Sequence, residues 1–325
     1  MKKILLASAA LALSAGVAHA QAVTIGGQGR MGVQYNNNGF TTRTGPVGGT
    51  NWRTESRLQF NFSAAVQADH GLSFGGFTRL RLQTNGGTAT EMTSQLFSGH
   101  RVWVEAGGLR LTFGNQDGAI TTSGVAMGYL GGCAIGYEGG QLCGDTVGLM
   151  DDGNATWFGS NTPAGVNTGG DQTVHARYTM GDWQAAVSAE RSNGVELGVR
   201  GRFDAFTVAA GFQQSRGLST RSATVSAHYN GGAWGVGAII ANIRYNTFWG
   251  TSPVGNSSET NFQINANADL GGGNLYGYVG RLYGDNAYGI NYSYGLGGGA
   301  SIIAGAERTV WNDTTTASVG GVFNF

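Results

Sequence analysis

What the sequence lacks narrows its class before any motif is considered. After residue 20, no run approaches the roughly 18 unbroken apolar residues that a membrane-spanning helix needs. The rest of the chain is therefore either soluble and secreted or crosses a membrane as a closed barrel. Lysine does not occur after residue 3, and 17 arginines against 19 acidic residues leave a net charge of −2 there. This near-neutral balance argues against nucleic acid as a partner.

The first 20 residues have the pattern of a secretory signal. Lys2 and Lys3 precede an apolar stretch from Ile4 to Leu13, and Ala18-His19-Ala20 fits a small-x-small cleavage site. This pattern predicts a signal peptide over 1–20 and a mature domain over 21–325, exported to a compartment that permits disulfides.

The remaining chain alternates polar and apolar residues in segments of about ten. In 51–69, Arg53 and Arg57 share one parity, whereas Phe60 and Phe62 share the other. An arginine facing lipid at mid-bilayer would cost roughly 2–4 kcal/mol. The polar parity is therefore expected to face water inside a barrel. Soluble antiparallel sheets also alternate, so the pattern alone does not exclude them.

Tight turns rich in Gly, Asn and Asp alternate along the chain with longer, looser connections. Short turns at one end and longer loops at the other are typical of a membrane barrel. Together with 59 glycines and only 3 prolines, they predict an all-β chain of sixteen antiparallel strands. The predicted strands are 22–35, 52–68, 72–83, 98–106, 109–115, 172–180, 183–191, 195–203, 205–214, 221–230, 233–243, 260–270, 274–283, 286–294, 299–308 and 316–325. Aromatics near strand ends are predicted to form girdles at the two membrane interfaces; they are Trp52, Trp103, Trp183, Trp234, Trp249, Tyr229, Tyr276, Tyr278 and Phe325.

The ending Val319-x-Gly321-x-Phe323-x-Phe325 and the segment from Ile25 to Gly32 resemble the last and first strands of Gram-negative outer-membrane porins. The resemblance implies a transmembrane β-barrel in the cell outer membrane. It also implies a homotrimer in which each subunit has its own pore, and a third long loop that folds into the lumen.

The loop over 116–171 is predicted to narrow that pore. It carries acidic residues with no basic residue among them, namely Asp117, Glu138, Asp145, Asp151 and Asp152. The neighbouring strands carry inward-facing arginines, namely Arg30, Arg53, Arg57, Arg79, Arg81, Arg101 and Arg110. We hypothesise that loop and wall face each other and set up a transverse field that orients water and polar solutes. The alternative is that these are solvated charges without a specific arrangement.

The sequence contains three further patterns. Cys133 and Cys143 favour a local disulfide over free thiols, and the acidic loop could bind Ca²⁺, although its spacing matches no known loop motif. The G-x-G-x-x-G spacing from Gly27 to Gly32 lies within a strand, where it does not predict nucleotide binding.

The sequence therefore predicts a channel for passive diffusion of small hydrophilic solutes and ions, without enzymatic activity or a cofactor. A substrate-selective channel is an alternative of the same class. A barrel enzyme and a secreted β-sandwich adhesin are the competing classes, and no G-x-S-x-G motif supports the enzyme.

Overall fold

The computed structural model describes residues 22–39, 41–42, 45–46, 51–85, 97–116, 118–123, 174–190, 194–215, 221–245, 257–282, 285–308 and 314–325. The predicted signal peptide lies outside these ranges. Within them, no helix is both long and apolar enough to span a bilayer.

Sixteen antiparallel strands close into one barrel, each pairing with its neighbours in sequence and the last pairing with the first. The strands are β1 (Ala22–Asn36), β2 (Trp52–Gln67), β3 (Ser73–Asn85), β4 (Phe97–Ala106), β5 (Leu109–Gly114), β6 (Val174–Met180), β7 (Trp183–Glu190), β8 (Gly194–Phe203), β9 (Phe206–Ser215), β10 (Arg221–Asn230), β11 (Trp234–Tyr245), β12 (Ser257–Leu270), β13 (Gly273–Leu282), β14 (Asp285–Gly297), β15 (Ala300–Arg308) and β16 (Thr315–Asn324). Every predicted strand is confirmed, and each end lies within three residues of its predicted position.

Two kinds of connection define the two ends of the barrel. At one end, turns of a few residues join strand pairs such as β2 and β3, through a 3₁₀ turn over Asp69–Gly71. The β12–β13 turn places Gly271 and Gly272 at φ of 59° and 81°, which suits the reversed turn of a two-residue hairpin. At the other end, connections are mostly longer. The first of them contains a two-residue pairing between Thr41–Thr42 and Gly45–Pro46.

Side chains alternate between the two faces of the sheet as the sequence predicts. Along β12, Asn261 and Gln263 are buried, whereas Phe262 and Ile264 are 40% and 50% exposed. The outer face carries large exposed apolar side chains on every strand pair, so they do not meet in a dry core. A β-sandwich would bury those residues between two sheets. The sandwich alternative is therefore wrong.

The seam that closes the barrel joins the two ends of the chain. β1 pairs with β16 in a register that includes Arg30 with Val322. Gly27 and Phe325 exchange two backbone hydrogen bonds of 2.7 and 3.1 Å beyond the end of that ladder. The aromatic rings of Phe323 and Phe325 lie over Gly29 and Gly27, where a Cβ atom would overlap them. The first two glycines of the G-x-G-x-x-G spacing thus leave room for the C-terminal rings.

We expect Gly27→Ala to destabilise the closed barrel, because its Cβ would overlap the backbone carbonyl of Gln59 as well as the Phe325 ring. Overpacking of this kind lowers the free energy of unfolding by about 1–3 kcal/mol. Urea unfolding in detergent micelles measures the change. Gly295→Ala is the control, because open space surrounds that position in β14. Equal stability of the two variants would contradict this account of the seam.

Candidate functional site

The polar face of the sheet is the inner face of the barrel. A short helix, α1 (Ala119–Thr122), follows β5 and rests on this face. The backbone N–H of Ile120 donates to Glu196 Oε2 at 3.1 Å, and that of Ala119 donates to Ser188 Oγ at 2.9 Å. On the same strands, Val187 is half exposed on the opposite, outer face.

The C-terminal end of α1 also contacts the inner face of the barrel. Gln184 Nε2 donates to the carbonyl oxygen of Thr122 at 2.8 Å, and Thr122 Oγ1 lies 2.8 Å from His175 Nε2. These contacts join α1 to β6, β7 and β8, and they satisfy backbone groups that a buried helix end would otherwise leave without partners. The segment that leaves β5 therefore enters the interior of the barrel.

All seven predicted arginines have inward parity and occupy five consecutive strands, β1 to β5. We call this surface the arginine wall; it consists of Arg30, Arg53, Arg57, Arg79, Arg81, Arg101 and Arg110. Register places Arg30 opposite Arg57 and Gln59 opposite Arg81. The barrel thus brings together side chains that are up to 80 residues apart in sequence.

A buried carboxylate organises the start of the wall. Glu55 on β2 has no exposed side-chain surface, and its Oε1 accepts a hydrogen bond of 3.1 Å from Arg30. Its Oε2 lies 3.6 Å from a guanidinium nitrogen of Arg53. Arg53 Nε also donates to Gln34 at 2.6 Å. Two guanidinium groups therefore share one carboxylate, which leaves the group with one positive charge.

Further along the wall, neutral partners orient the guanidinium groups. Arg81 Nε donates to Gln59 Oε1 at 2.8 Å. The Arg101 guanidinium lies 4.1 Å from the centre of the Phe77 ring and donates to the backbone oxygen of Asn115 at 3.4 Å. Such contacts fix the direction of an arginine without cancelling its charge.

Arg110, at the end of the wall, is partly neutralised. It forms an ion pair with Glu105, and its guanidinium lies 5.1 Å from the centre of the Trp103 ring. Both members of the pair keep about a third of their side-chain surface exposed. The prediction from sequence omitted Glu55 and Glu105 as wall residues, although both share the parity of the arginines.

Three aromatic residues predicted to lie in interface girdles are on the inner face instead, so that part of the girdle prediction is wrong. Trp103 shares its face with Arg101 and Glu105 on β4. Tyr276 and Tyr278 are 2% and 3% exposed, and the Tyr278 hydroxyl donates to Glu307 at 2.8 Å. Proximity to a turn suggested the outer face, but the parity of each strand decides the direction of the side chain.

Other predicted girdle residues do lie outside. Trp183 contacts Phe203, and Tyr229 contacts Phe206 and Trp234, with ring centres 4.9 to 5.3 Å apart. All of these are close to short turns. Trp249 lies outside the described residues.

The predicted acidic residues of the loop lie outside the described residues, as do Cys133 and Cys143; they are Asp117, Glu138, Asp145, Asp151 and Asp152. Within the described ranges, no three His, Cys, Asp or Glu side chains form a group that could hold a metal ion.

Comparisons with known proteins agree with this architecture. A family model described as Gram-negative porin matches residues 7–314. The fold is similar to that of a Rhodopseudomonas blastica porin variant with three substitutions, at 21% identity and a TM-score of 0.69. A variant of the same porin with two substitutions gives 20% and 0.68. Each alignment covers 94% of this chain and 100% of the other. No curated protein matches the sequence significantly.

The buried and exposed carboxylates of the wall should differ in their effect on stability. Glu55→Gln removes the charge shared by Arg30 and Arg53, and removing one member of a buried ion pair lowers the free energy of unfolding by about 3 kcal/mol. Glu105→Gln, in the partly exposed pair, should lower it by no more than about 1 kcal/mol. Urea unfolding in micelles, followed by tryptophan fluorescence, compares the two. Equal losses would contradict the central position given to Glu55.

Proposed function

This chain belongs to the Gram-negative porin family, so its barrel is an outer-membrane channel for small hydrophilic solutes, and we propose that the arginine wall makes this channel prefer anions. The observation that carries the proposal is the excess of positive charge on five consecutive strands. Seven arginines and two glutamates, Glu55 and Glu105, face inward there, which leaves five positive charges in excess among the described residues.

The physical basis is the potential next to a wall on which positive charge is in excess. Such a lining raises the local concentration of counter-ions tenfold or more at low salt. Arginine suits this role because its guanidinium stays protonated. Gln59 and the Phe77 ring, which orient Arg81 and Arg101, are neutral groups and do not themselves cancel a guanidinium charge.

The acidic loop belongs to the same proposal. We propose that Asp117, Glu138, Asp145, Asp151 and Asp152 face the wall and that fixed charges of opposite sign orient water across the gap. The position of α1 supports this arrangement, because it brings the start of the long connection into the interior. A disulfide between Cys133 and Cys143 would stiffen that connection, and the acidic side chains are the place where Ca²⁺ would bind.

Neutralising the wall should shift ion preference toward cations. The triple variant Arg53→Gln, Arg79→Gln, Arg101→Gln reduces the excess from five charges to two. We expect the ratio of anion to cation permeability to fall by roughly two- to tenfold at low salt. Reversal potentials in planar bilayers under a salt gradient measure this ratio.

Arg281→Gln provides the matched control, because Arg281 is exposed and has outward parity on β13. It removes the same charge from the other side of the sheet. Unchanged reversal potentials in the triple variant, or an equal shift per charge in the control, would refute the role of the wall.

We also propose that the chain assembles as a homotrimer through the outer face of β15 and its neighbours. Outward residues there are small or flat, including Ala300, Ile302, Ala304 and Ala306. Small side chains let two sheets approach closely within lipid. We further propose that a signal peptide over 1–20 directs export of the chain to the outer membrane.

A bulky residue on that face should dissociate the trimer. Ala304→Trp introduces a ring where close contact is proposed, whereas Ala238→Trp makes the same change on the exposed outer face of β11. Light scattering in detergent should give a trimer for the original chain and for the β11 variant, and smaller species for the β15 variant. Conductance in single steps rather than in threes would accompany dissociation. A trimer that survives Ala304→Trp would exclude this face as the contact.

A further inference from the structure

The charges on the outer face of the barrel are confined to one end. Among the described strand residues, four arginines have outward parity, and each lies at the long-connection end of its strand: Arg221, Arg244, Arg281 and Arg308. Among the strand side chains that the structure describes, no carboxylate shares this outward parity. The outer face is therefore apolar over most of its height and positively charged at one border.

Two of these arginines are direct neighbours. Arg221 begins β10, Arg244 lies near the end of β11, and they are cross-strand register partners. Both are exposed. Directly opposite residues on a sheet have Cβ atoms about 4.5–5.5 Å apart, and like charges in such pairs are destabilising. An anion bound between the two guanidinium groups would turn this repulsion into attraction.

Hydrogen-bonding side chains lie beside Arg244 on the same face. Ser258 on β12 is the other register partner of Arg244, and Thr260 follows it with the same parity. The Asn242 amide donates to the Thr260 hydroxyl at 3.2 Å. Below this level the outward residues become apolar, with Ile240 and Phe262 next along their strands. We call Arg221, Arg244, Ser258 and Thr260 the outward polar patch.

The position of the patch along the barrel axis matches that of a membrane interface. From Trp234, near the short turn, to Arg244 is ten residues, or about 33 Å along the strand. With a strand tilt near 40°, this spans about 25 Å along the barrel axis, which is the thickness of the apolar band of a membrane barrel. Trp234 lies at one border of that band and Arg244 at the other, on the side of the longer connections, which in outer-membrane barrels is extracellular.

We propose that the outward polar patch binds the phosphate of an anionic lipid in the outer leaflet. A guanidinium group offers two parallel donors to a phosphate, and two such groups side by side can hold one phosphate from both sides. The hydroxyl groups of Ser258 and Thr260 add donors of the kind that phosphate and sugar oxygens accept. The acyl chains of that lipid would lie against Ile240 and Phe262 below.

Lipid retention by the purified, detergent-solubilised protein tests the proposal. Native mass spectrometry would compare phosphatidic acid with phosphatidylcholine of identical acyl chains. The original chain should retain phosphatidic acid preferentially. Arg221→Gln and Arg244→Gln should each reduce that preference about fivefold, and together they should abolish it. Arg244→Lys, which keeps the charge but loses the two-donor geometry, should fall between.

Arg202→Gln is the control, because Arg202 has inward parity at the short-turn end of β8. It should leave the lipid preference unchanged, and conductance in planar bilayers reports that each variant has folded. A double variant that retains phosphatidic acid as the original chain does would overturn the proposal. Inorganic phosphate that binds as well as phosphatidic acid would also overturn it, because the patch would then serve free phosphate. Neither result bears on the ion preference of the pore.

Discussion

The whole structure depends on one constraint, which is that every backbone N–H and C=O group in the hydrocarbon must find a partner within the protein. Consecutive hairpins meet this requirement everywhere except between the first and last strands. The ladder between β1 and β16 and the paired hydrogen bonds between Gly27 and Phe325 complete it. Two glycines make this closure possible, because only their missing side chains leave room for the C-terminal rings.

Closure also separates two chemical environments by the thickness of a single sheet. Residues of one parity face lipid and must be apolar, so polar groups are free to accumulate on the other side. This is why Arg30, Glu55 and Arg53 can form a shared ion group on the inner face of the barrel. The orientation of each arginine then depends on its cross-strand partners, whether carboxylate, amide or aromatic ring.

The sequence was sufficient to predict the strands and their facing because a period of two is a local property. The arginine wall was recognised for the same reason. Local patterns could not show that Glu55 lies between two arginines, since this depends on the register between β1 and β2. The parity of their strands indicates that Tyr276 and Trp103 point inward, whereas their position near turns indicates the opposite direction. The Arg221–Arg244 pair and the docking of α1 on Glu196 depend on distant residues meeting, which one sequence does not reveal.

The arginines on the outer border have a consequence for how the barrel reaches its final position. The end that carries them must traverse the hydrocarbon during insertion, and each guanidinium raises the energy at the midplane by about 2–4 kcal/mol. For four such groups crossing together, the barrier is on the order of 10 kcal/mol. The same barrier opposes the reverse movement, so these side chains slow the departure of an inserted barrel from the membrane.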